Sequence, residues 1–161
     1  MKITALEEYG MRCMLLVARK EKGKPVTLPE VSESENITVP YAGKLLMILK
    51  NAGLVESARG RNGGYTLTHP AEDISLREIF EALGEPVGGP EHCSRHTGKG
   101  EYCVHSDDCD IKGIWQAFGE YFSEATDRVS LGDLAAGRVD KSKMFKPVTK
   151  SRTEFENSNS K

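Results

Sequence analysis

Residues 27–68 constrain the fold more than any other part of the chain, because two short helical patterns are followed directly by a glycine-rich hairpin. Thr27 and Glu30 form a capping-box pattern that predicts the start of the first helix. After a tight turn, Thr38 is the predicted N-cap of a longer helix. That helix is expected to end at Gly53, since the position just after a helix often requires a left-handed backbone.

The next segment predicts two short β-strands joined by a basic tip. The strands are predicted at residues 54–57 and 65–68, and the residues between them include Arg59, Arg61 and three glycines. Helix, helix and hairpin in this order are typical of a winged helix-turn-helix. We therefore predict a mostly α fold with a small β-hairpin wing, in which residues 1–84 form the DNA-binding domain.

Two surfaces of this domain are predicted to contact an operator in double-stranded DNA. The N-terminal end of the second motif helix meets base edges in helix-turn-helix proteins, and its lysine suits a guanine edge or a phosphate. The wing arginines suit an AT-rich minor groove, where the narrow width concentrates negative potential. The alternatives are a solvated helix face and a plain surface hairpin. The predicted DNA-binding residues are Thr38, Pro40, Tyr41, Lys44, Arg59, Arg61 and Gly63.

Two further capping boxes predict helices on either side of this motif. The box at Thr4 predicts a helix to about Arg19, and the box at Ser75 predicts a helix through Leu83. Cys13 falls on the apolar face of the first of these helices. We expect it to be a buried structural residue, since free cysteine behaves as a small hydrophobic side chain.

The charge and the N-terminus limit the kinds of partner that the chain can have. The formal net charge is −2 over 161 residues, which excludes a nonspecific nucleic-acid coat. No apolar run is long enough to cross a membrane, and Glu7 and Glu8 precede the first apolar stretch, unlike in a secretory signal. We expect a cytoplasmic protein with neither a membrane partner nor a small-molecule substrate. It is not expected to be an enzyme, because no nucleophile, base and orienting group form a set.

Three cysteines lie in one polar, glycine-rich loop at residues 85–109. Cys93, Cys103 and Cys109 cannot all pair with one another, and clustered thiols in a reducing compartment indicate metal binding or redox chemistry. Three thiolates on a flexible loop suit a soft metal centre such as an iron–sulfur cluster. The loop is therefore predicted to be the sensing site of the protein.

The three loop cysteines alone do not complete such a metal centre, because a cluster normally has four protein ligands. Further candidates nearby are His92, His96, His105 and the neighbouring aspartates. Zinc also suits cysteine and histidine ligands, although the closely spaced cysteine pair that is usual at zinc sites is absent. The spacing by itself leaves an iron–sulfur cluster, a zinc ion and a thiol switch as alternatives.

A long aromatic pattern after the loop predicts a helix that pairs with a second copy of the chain. Apolar residues recur every three or four positions from Ile111 to Val129. One domain of this size can hardly bury so many aromatic side chains, whereas an antiparallel pair of helices can. The alternative is a core helix within one chain. We predict a dimerisation helix and terminal segment at residues 110–137 and a disordered polar tail at residues 138–161.

Motifs distributed over about residues 1–137 are similar to those of one known family. They are Met1-Lys-Ile-Thr4, Tyr9, Val39-Pro-Tyr41, Leu45, Leu49, residues 52–55, the wing at residues 59–65, Ile74-Ser-Leu76, the cysteine loop and residues 131–134. Together they resemble the IscR/NsrR/RirA-type iron–sulfur transcriptional regulators. The resemblance implies a homodimer with a long dimerisation helix and an iron–sulfur cluster, 2Fe–2S or 4Fe–4S, that controls DNA binding.

The resemblance also bears on the fourth ligand, and the chain departs from the family in two ways. The spacing between Cys93 and Cys103 is longer than is usual, so the loop carries an insertion. IscR-like members use a histidine three residues after the third cysteine, where this chain has Lys112, which cannot serve. NsrR-like members use a carboxylate on the first helix of the other subunit. The resemblance therefore implies the three loop cysteines and Glu8 of the partner subunit as metal ligands, with His105 as the next candidate for the fourth.

These patterns and the resemblance predict a homodimeric transcriptional regulator that senses redox state, nitric oxide, or the supply of iron or clusters. One alternative is a zinc-bound or cysteine-thiol switch with the same DNA-binding head. Another is an adaptor that uses the fold to bind a protein. The colour of an anaerobic preparation distinguishes the first hypothesis from the others, and a DNA-binding assay distinguishes the adaptor.

Overall fold

A computed structural model describes residues 3–21, 24–58, 60, 63–84, 88, 92–105 and 108–144. The helices are α1 (Ala5–Arg19), α2 (Leu28–Glu35), α3 (Val39–Asn51), α4 (Leu76–Leu83), α5 (Lys112–Asp127), α6 (Leu131–Ala135) and α7 (Lys141–Met144). The strands β1 (Val55–Ala58) and β2 (Gly64–Leu67) lie between α3 and α4 and pair antiparallel. The predicted class, mostly α with a small β-hairpin wing, is confirmed.

Local side-chain bonds begin the helices where the sequence predicts. The hydroxyls of Thr4, Thr27 and Ser75 accept from the backbone three residues later, and each reciprocal glutamate bond is present. Thr38 caps α3 by accepting from the Tyr41 N–H at 3.4 Å. Gly53 follows α3 with a φ of +77°, which agrees with its predicted role after the helix end.

The core lies where α1, α3 and α4 meet beneath the base of the hairpin. Its fully buried side chains include Met14, Leu45, Leu49 and Ile79. Each such side chain contributes about 1.5–3 kcal/mol by leaving water. Cys13 is also fully buried in this core, which confirms its predicted structural position.

The hairpin is one residue displaced from its predicted strands, and a third segment bonds to β2. The Leu54 N–H donates to Leu49 O at 3.0 Å and its carbonyl accepts from the Thr68 N–H at 3.2 Å, whereas strand pairing starts at Val55. Val26, in the connection between α1 and α2, exchanges two backbone hydrogen bonds with Tyr65 of β2, at 2.9 and 2.8 Å. Strand β2 of the wing is therefore bonded to the connection that precedes α2.

Among the described residues, the buried side chains of α5 lie at its C-terminal end, at Ala125 and Thr126. Phe122 meets Phe80 of α4 edge-on, with ring centroids 5.1 Å apart. Two backbone bonds, Leu76 N to Val129 O at 2.9 Å and Leu131 N to Ile74 O at 2.8 Å, hold the segment after α5 against the segment before α4. Residues 111–118 are exposed on every side of the helix.

The C-terminal segment contains more local structure than the predicted polar tail. The short helix α7 begins at Lys141, after Asp140 accepts from the backbone N–H of Ser142 at 3.0 Å. Residues 145–161, which belong to the predicted tail, lie outside the described residues. Within the part of the chain that the structure describes, no helix is both long enough and apolar enough to span a bilayer.

Candidate nucleic-acid interface and metal site

Helix α3 and its N-cap carry four of the seven residues that are predicted to contact DNA. Ala42, Leu45, Leu46 and Leu49 point into the core, which leaves Pro40, Lys44, Met47 and Asn51 exposed on the opposite face. Thr38 and Pro40 lie exposed at the N-terminal end of the helix, as predicted.

Tyr41 differs from the other predicted contacts because it is only half-exposed. Its ring meets Tyr9 of α1 edge-on, with centroids 6.0 Å apart. The aromatic body therefore packs between α3 and α1. This contact was not predicted, because the two residues are distant in sequence.

A side-chain hydrogen bond joins the wing to α3. The ammonium of Lys50 donates to the hydroxyl of Ser57 at 2.6 Å. Gly63 donates to the carbonyl of Gly60 at 2.9 Å in the turn at the tip. Arg59 and Arg61, the predicted minor-groove residues, lie outside the described residues.

The cysteine loop contains three half-buried free thiols. Cys93, Cys103 and Cys109 have no disulfide partner. The Cys93 carbonyl accepts from the His96 N–H at 3.1 Å, and the Cys109 carbonyl accepts from the Lys112 N–H at 3.3 Å at the start of α5. Among the described residues, no three or more His, Cys, Asp or Glu side chains lie close enough to hold one metal ion. The donors suit a soft metal by their chemistry, but they are not gathered within one chain.

Glu8 lies on the exposed side of α1, and among the described residues it belongs to no group of three or more side chains that could hold a metal ion. It accepts from Arg12 Nη2 at 2.6 Å and from Arg12 Nε at 2.8 Å. This hydrogen bond and the charge of the carboxylate raise the pKa of Arg12. The Arg12 guanidinium also lies over the Tyr9 ring, 5.3 Å from its centroid. The i, i+4 spacing of this ion pair was visible in the sequence, but we did not predict it.

A groove with a volume of about 720 Å³ lies between α1, α4, α5 and the first half of the cysteine loop. The loop contributes His92, Arg95 and His96, whereas α5 contributes Trp115 and Phe122. The His92 ring lies 4.7 Å from the His96 ring and 5.8 Å from the Trp115 ring, centroid to centroid. Lys44 of α3 lines the same groove. A predicted DNA-binding side chain and the predicted sensing loop therefore border one space.

Cys13 is chemically distinct from the three loop thiols. Burial raises the pKa of its thiol to about 12, with a smaller contribution from the negative charge of Glu35. The thiolate is the nucleophile and metal ligand, so Cys13 is inert near neutral pH. It is not part of the candidate metal site.

Comparisons with known proteins agree on the family. The profile of the Rrf2 family, described as an iron-dependent transcriptional regulator, matches residues 3–137. The transcriptional regulator IscR of Klebsiella pneumoniae is 33% identical over 134 residues, which cover 83% of this chain and 79% of that protein.

Two solved structures show a similar fold. The structure of CymR, the global cysteine regulator of B. subtilis, has a TM-score of 0.68 and 29% identity, covering 87% of this chain and 99% of that one. The structure of T. potens IscR has a TM-score of 0.66 and 25% identity, covering 91% and 94%. The chain therefore belongs to the Rrf2 family of transcriptional regulators.

Proposed function

We propose that this protein is a homodimeric regulator whose affinity for a DNA operator is controlled by an iron–sulfur cluster on the cysteine loop. The observation that carries the proposal is the groove that the loop shares with α3, because His92, His96 and Lys44 all line it. Family membership supports the regulatory role. Three free, half-buried thiols in the same loop support the metal centre.

The proposed DNA contacts come from α3 and the wing. The exposed end of α3 is shaped to enter the major groove, where Lys44 meets a guanine edge or a phosphate. Arg59 and Arg61 enter the adjacent minor groove. Replacing both arginines with alanine is expected to weaken operator binding and to flatten its salt dependence, since fewer counterions are released. A variant that loses Arg128 and Arg138 instead controls for the change in net charge.

The proposed metal ligands are Cys93, Cys103 and Cys109 of one chain and Glu8 of the partner subunit. The cluster, when bound, supplies redox and ligand-exchange chemistry at iron. Ligation by Glu8 requires its ion pair with Arg12 to open. Both side chains of this pair are half-exposed, and water screens an exposed ion pair so that it adds little stability. The ion pair is therefore a small obstacle to ligation.

The homodimer is supported by the exposed half of α5. Ile111, Ile114, Trp115 and Phe118 are between 39% and 58% exposed and form a contiguous apolar face. Such a face on a single chain indicates a protein contact. A second copy of α5 is proposed to cover it. Ligation by Glu8 of the partner subunit then requires that this dimer place α1 of the partner near the cysteine loop.

The loop then acts on DNA affinity through the position of the two heads. The loop borders both α5 and Lys44, so ordering the loop favours one dimer geometry over another. A coupling free energy of about 1–3 kcal/mol corresponds to a 5–150-fold change in operator affinity.

The test is anaerobic purification of the wild type, of three single Cys→Ala loop variants, and of the Glu8→Ala and Cys13→Ala variants. Each loop variant is expected to lose most iron, sulfide and visible absorbance, and its operator affinity should no longer respond to oxidants. Glu8→Ala should retain a labile or altered cluster, whereas Cys13→Ala should match the wild type. A colourless wild-type protein that carries one zinc ion would contradict the iron–sulfur proposal and support a zinc site instead.

The second candidate is a thiol switch with the same DNA-binding head. The observation that favours it is the absence of an assembled metal site among the described residues, together with three accessible thiols. A colourless, metal-free protein whose operator affinity changes reversibly with oxidant and thiol reductant would establish this candidate.

A further inference from the structure

An apolar side chain occupies the centre of the outward face of α3. Met47 is 60% exposed, although the helix around it buries Leu45, Leu46 and Leu49 on its other side. Val39, one turn before Gly43 on the same stripe, is 42% exposed. Neither side chain is needed by the core, so both are available to a partner.

The residue between them on this stripe is a glycine that the free chain does not require. A Cβ at Gly43 would meet only the Leu28 methyls, at 3.9 and 4.0 Å, which is ordinary van der Waals contact. A glycine within a helix destabilises it relative to alanine. Its effect is a shallow helix surface beside Met47, over which a partner can approach the backbone.

The partner surface that matches this arrangement is the major-groove edge of a thymine. Its 5-methyl group is the apolar feature of the major groove, and it is read by apolar side chains. The thioether of methionine is flexible and polarisable, which suits such a contact. On the same face Lys44 supplies the charge for a phosphate or a guanine.

We propose that Met47 is a specificity-determining residue that contacts a thymine 5-methyl group in each operator half-site, and that Gly43 allows the helix to approach closely enough. The inference rests on the proposed DNA binding by α3. It adds a preference for thymine that the polar contacts of this helix do not provide.

The experiment begins with selection of duplexes from a random library by the full chain, in its anaerobic and metal-free forms. Each thymine of the enriched half-site is then replaced by deoxyuridine, which removes the 5-methyl group and leaves base pairing intact. One position per half-site is expected to lower wild-type affinity about fourfold, the effect of losing one methyl-sized apolar contact.

Three variants assign the effect to the proposed residues. Met47→Ala should bind the thymine and deoxyuridine duplexes equally, whereas Met47→Leu should retain the discrimination. Gly43→Ala should be at least as stable to heat as the wild type and yet bind the enriched duplex more weakly. Circular dichroism confirms that each variant is folded.

Two results are distinguishable failures. If duplexes are enriched but deoxyuridine affects the wild type and Met47→Ala equally at every position, the role of Met47 is overturned while DNA binding stands. If neither form of the protein enriches any duplex, the proposed DNA binding fails and the role of Met47 fails with it.

Discussion

Burial divides the four cysteines into two chemical classes. Cys13 is fully enclosed by the core, and the cost of burying a charge keeps its thiol protonated. Cys93, Cys103 and Cys109 lie in a loop with half-exposed side chains. A cysteine count alone does not separate these classes, but the helical periodicity around Cys13 does.

The first prediction concerns the reactivity of these thiols in the metal-free protein. At pH 8, iodoacetamide is expected to modify the three loop cysteines and to leave Cys13 unmodified, because its pKa of about 12 leaves almost no thiolate. Since the folded pKa is raised, the protection of Cys13 persists at lower pH and is lost only as the pH approaches 12. Peptide mass spectrometry measures each site. Labelling in guanidinium chloride, where all four sites should react, is the control; rapid labelling of Cys13 in the native protein would contradict the prediction.

At the scale of elements, helix starts were predictable and contacts between distant segments were not. The caps at Thr4, Thr27, Thr38 and Ser75 depend on residues three positions apart, so the sequence contains them. The bonds between Val26 and Tyr65 join residues far apart in the chain, so no local sequence pattern predicts them. The cysteines of the candidate site were recognisable by type and spacing, whereas the groove between the histidines of their loop and Lys44 depends on tertiary packing.

The packing of β2 against Val26 predicts the effect of a substitution at Gly64. A Cβ there would lie 2.6 Å from the carbonyl oxygen of Val26, which is backbone and cannot easily move. Gly64→Ala is expected to lower the free energy of unfolding by about 1–3 kcal/mol. Chemical denaturation measures this change. Gly43→Ala is the matched control, because its Cβ has room and the variant should gain up to about 1 kcal/mol.

The exposed half of α5 predicts the effect of a charge on dimerisation. Ile114→Asp places a carboxylate in the centre of the apolar face, which cannot be buried against a second copy without a large desolvation cost. The variant is expected to be a folded monomer, since Ile114 does not contribute to the core of its own chain. Light scattering coupled to gel filtration measures the mass. Gln116→Asp, on the other side of the helix, should remain dimeric; an equally dimeric Ile114→Asp would remove α5 from the interface.

At the scale of the whole molecule, the proposed functional surfaces come from different segments of the chain around one small core. The outward face of α3 and the wing are formed by residues 38–67, and the apolar face of α5 begins at Ile111. The groove and the cysteine loop lie between them. A pair of such chains joined through α5 presents two α3 helices related by a two-fold axis.

This arrangement predicts the form of the operator. The two recognition helices are expected to enter successive major grooves about 34–36 Å apart, or a multiple of this distance, on a near-palindromic site. Hydroxyl-radical footprinting should give two protected patches separated by whole helical turns. Inserting five base pairs, about half a turn, between the half-sites places them on opposite faces of the duplex and should abolish tight binding. Undiminished binding to that spacer, or a protein that is monomeric on DNA, would refute the two-fold complex.

The two hydrogen bonds between Val26 and Tyr65 limit how the DNA-binding domain can change in response to a signal from the cysteine loop. Because these bonds join the wing to the connection before α2, we expect the wing and the helix-turn-helix that contains α3 to turn together. A signal from the loop then rotates one DNA-binding domain of the dimer relative to the other about the duplex axis. The conformation of each domain stays the same. A duplex with a single half-site contacts only one DNA-binding domain, so it should be bound with the same affinity in both signalling states.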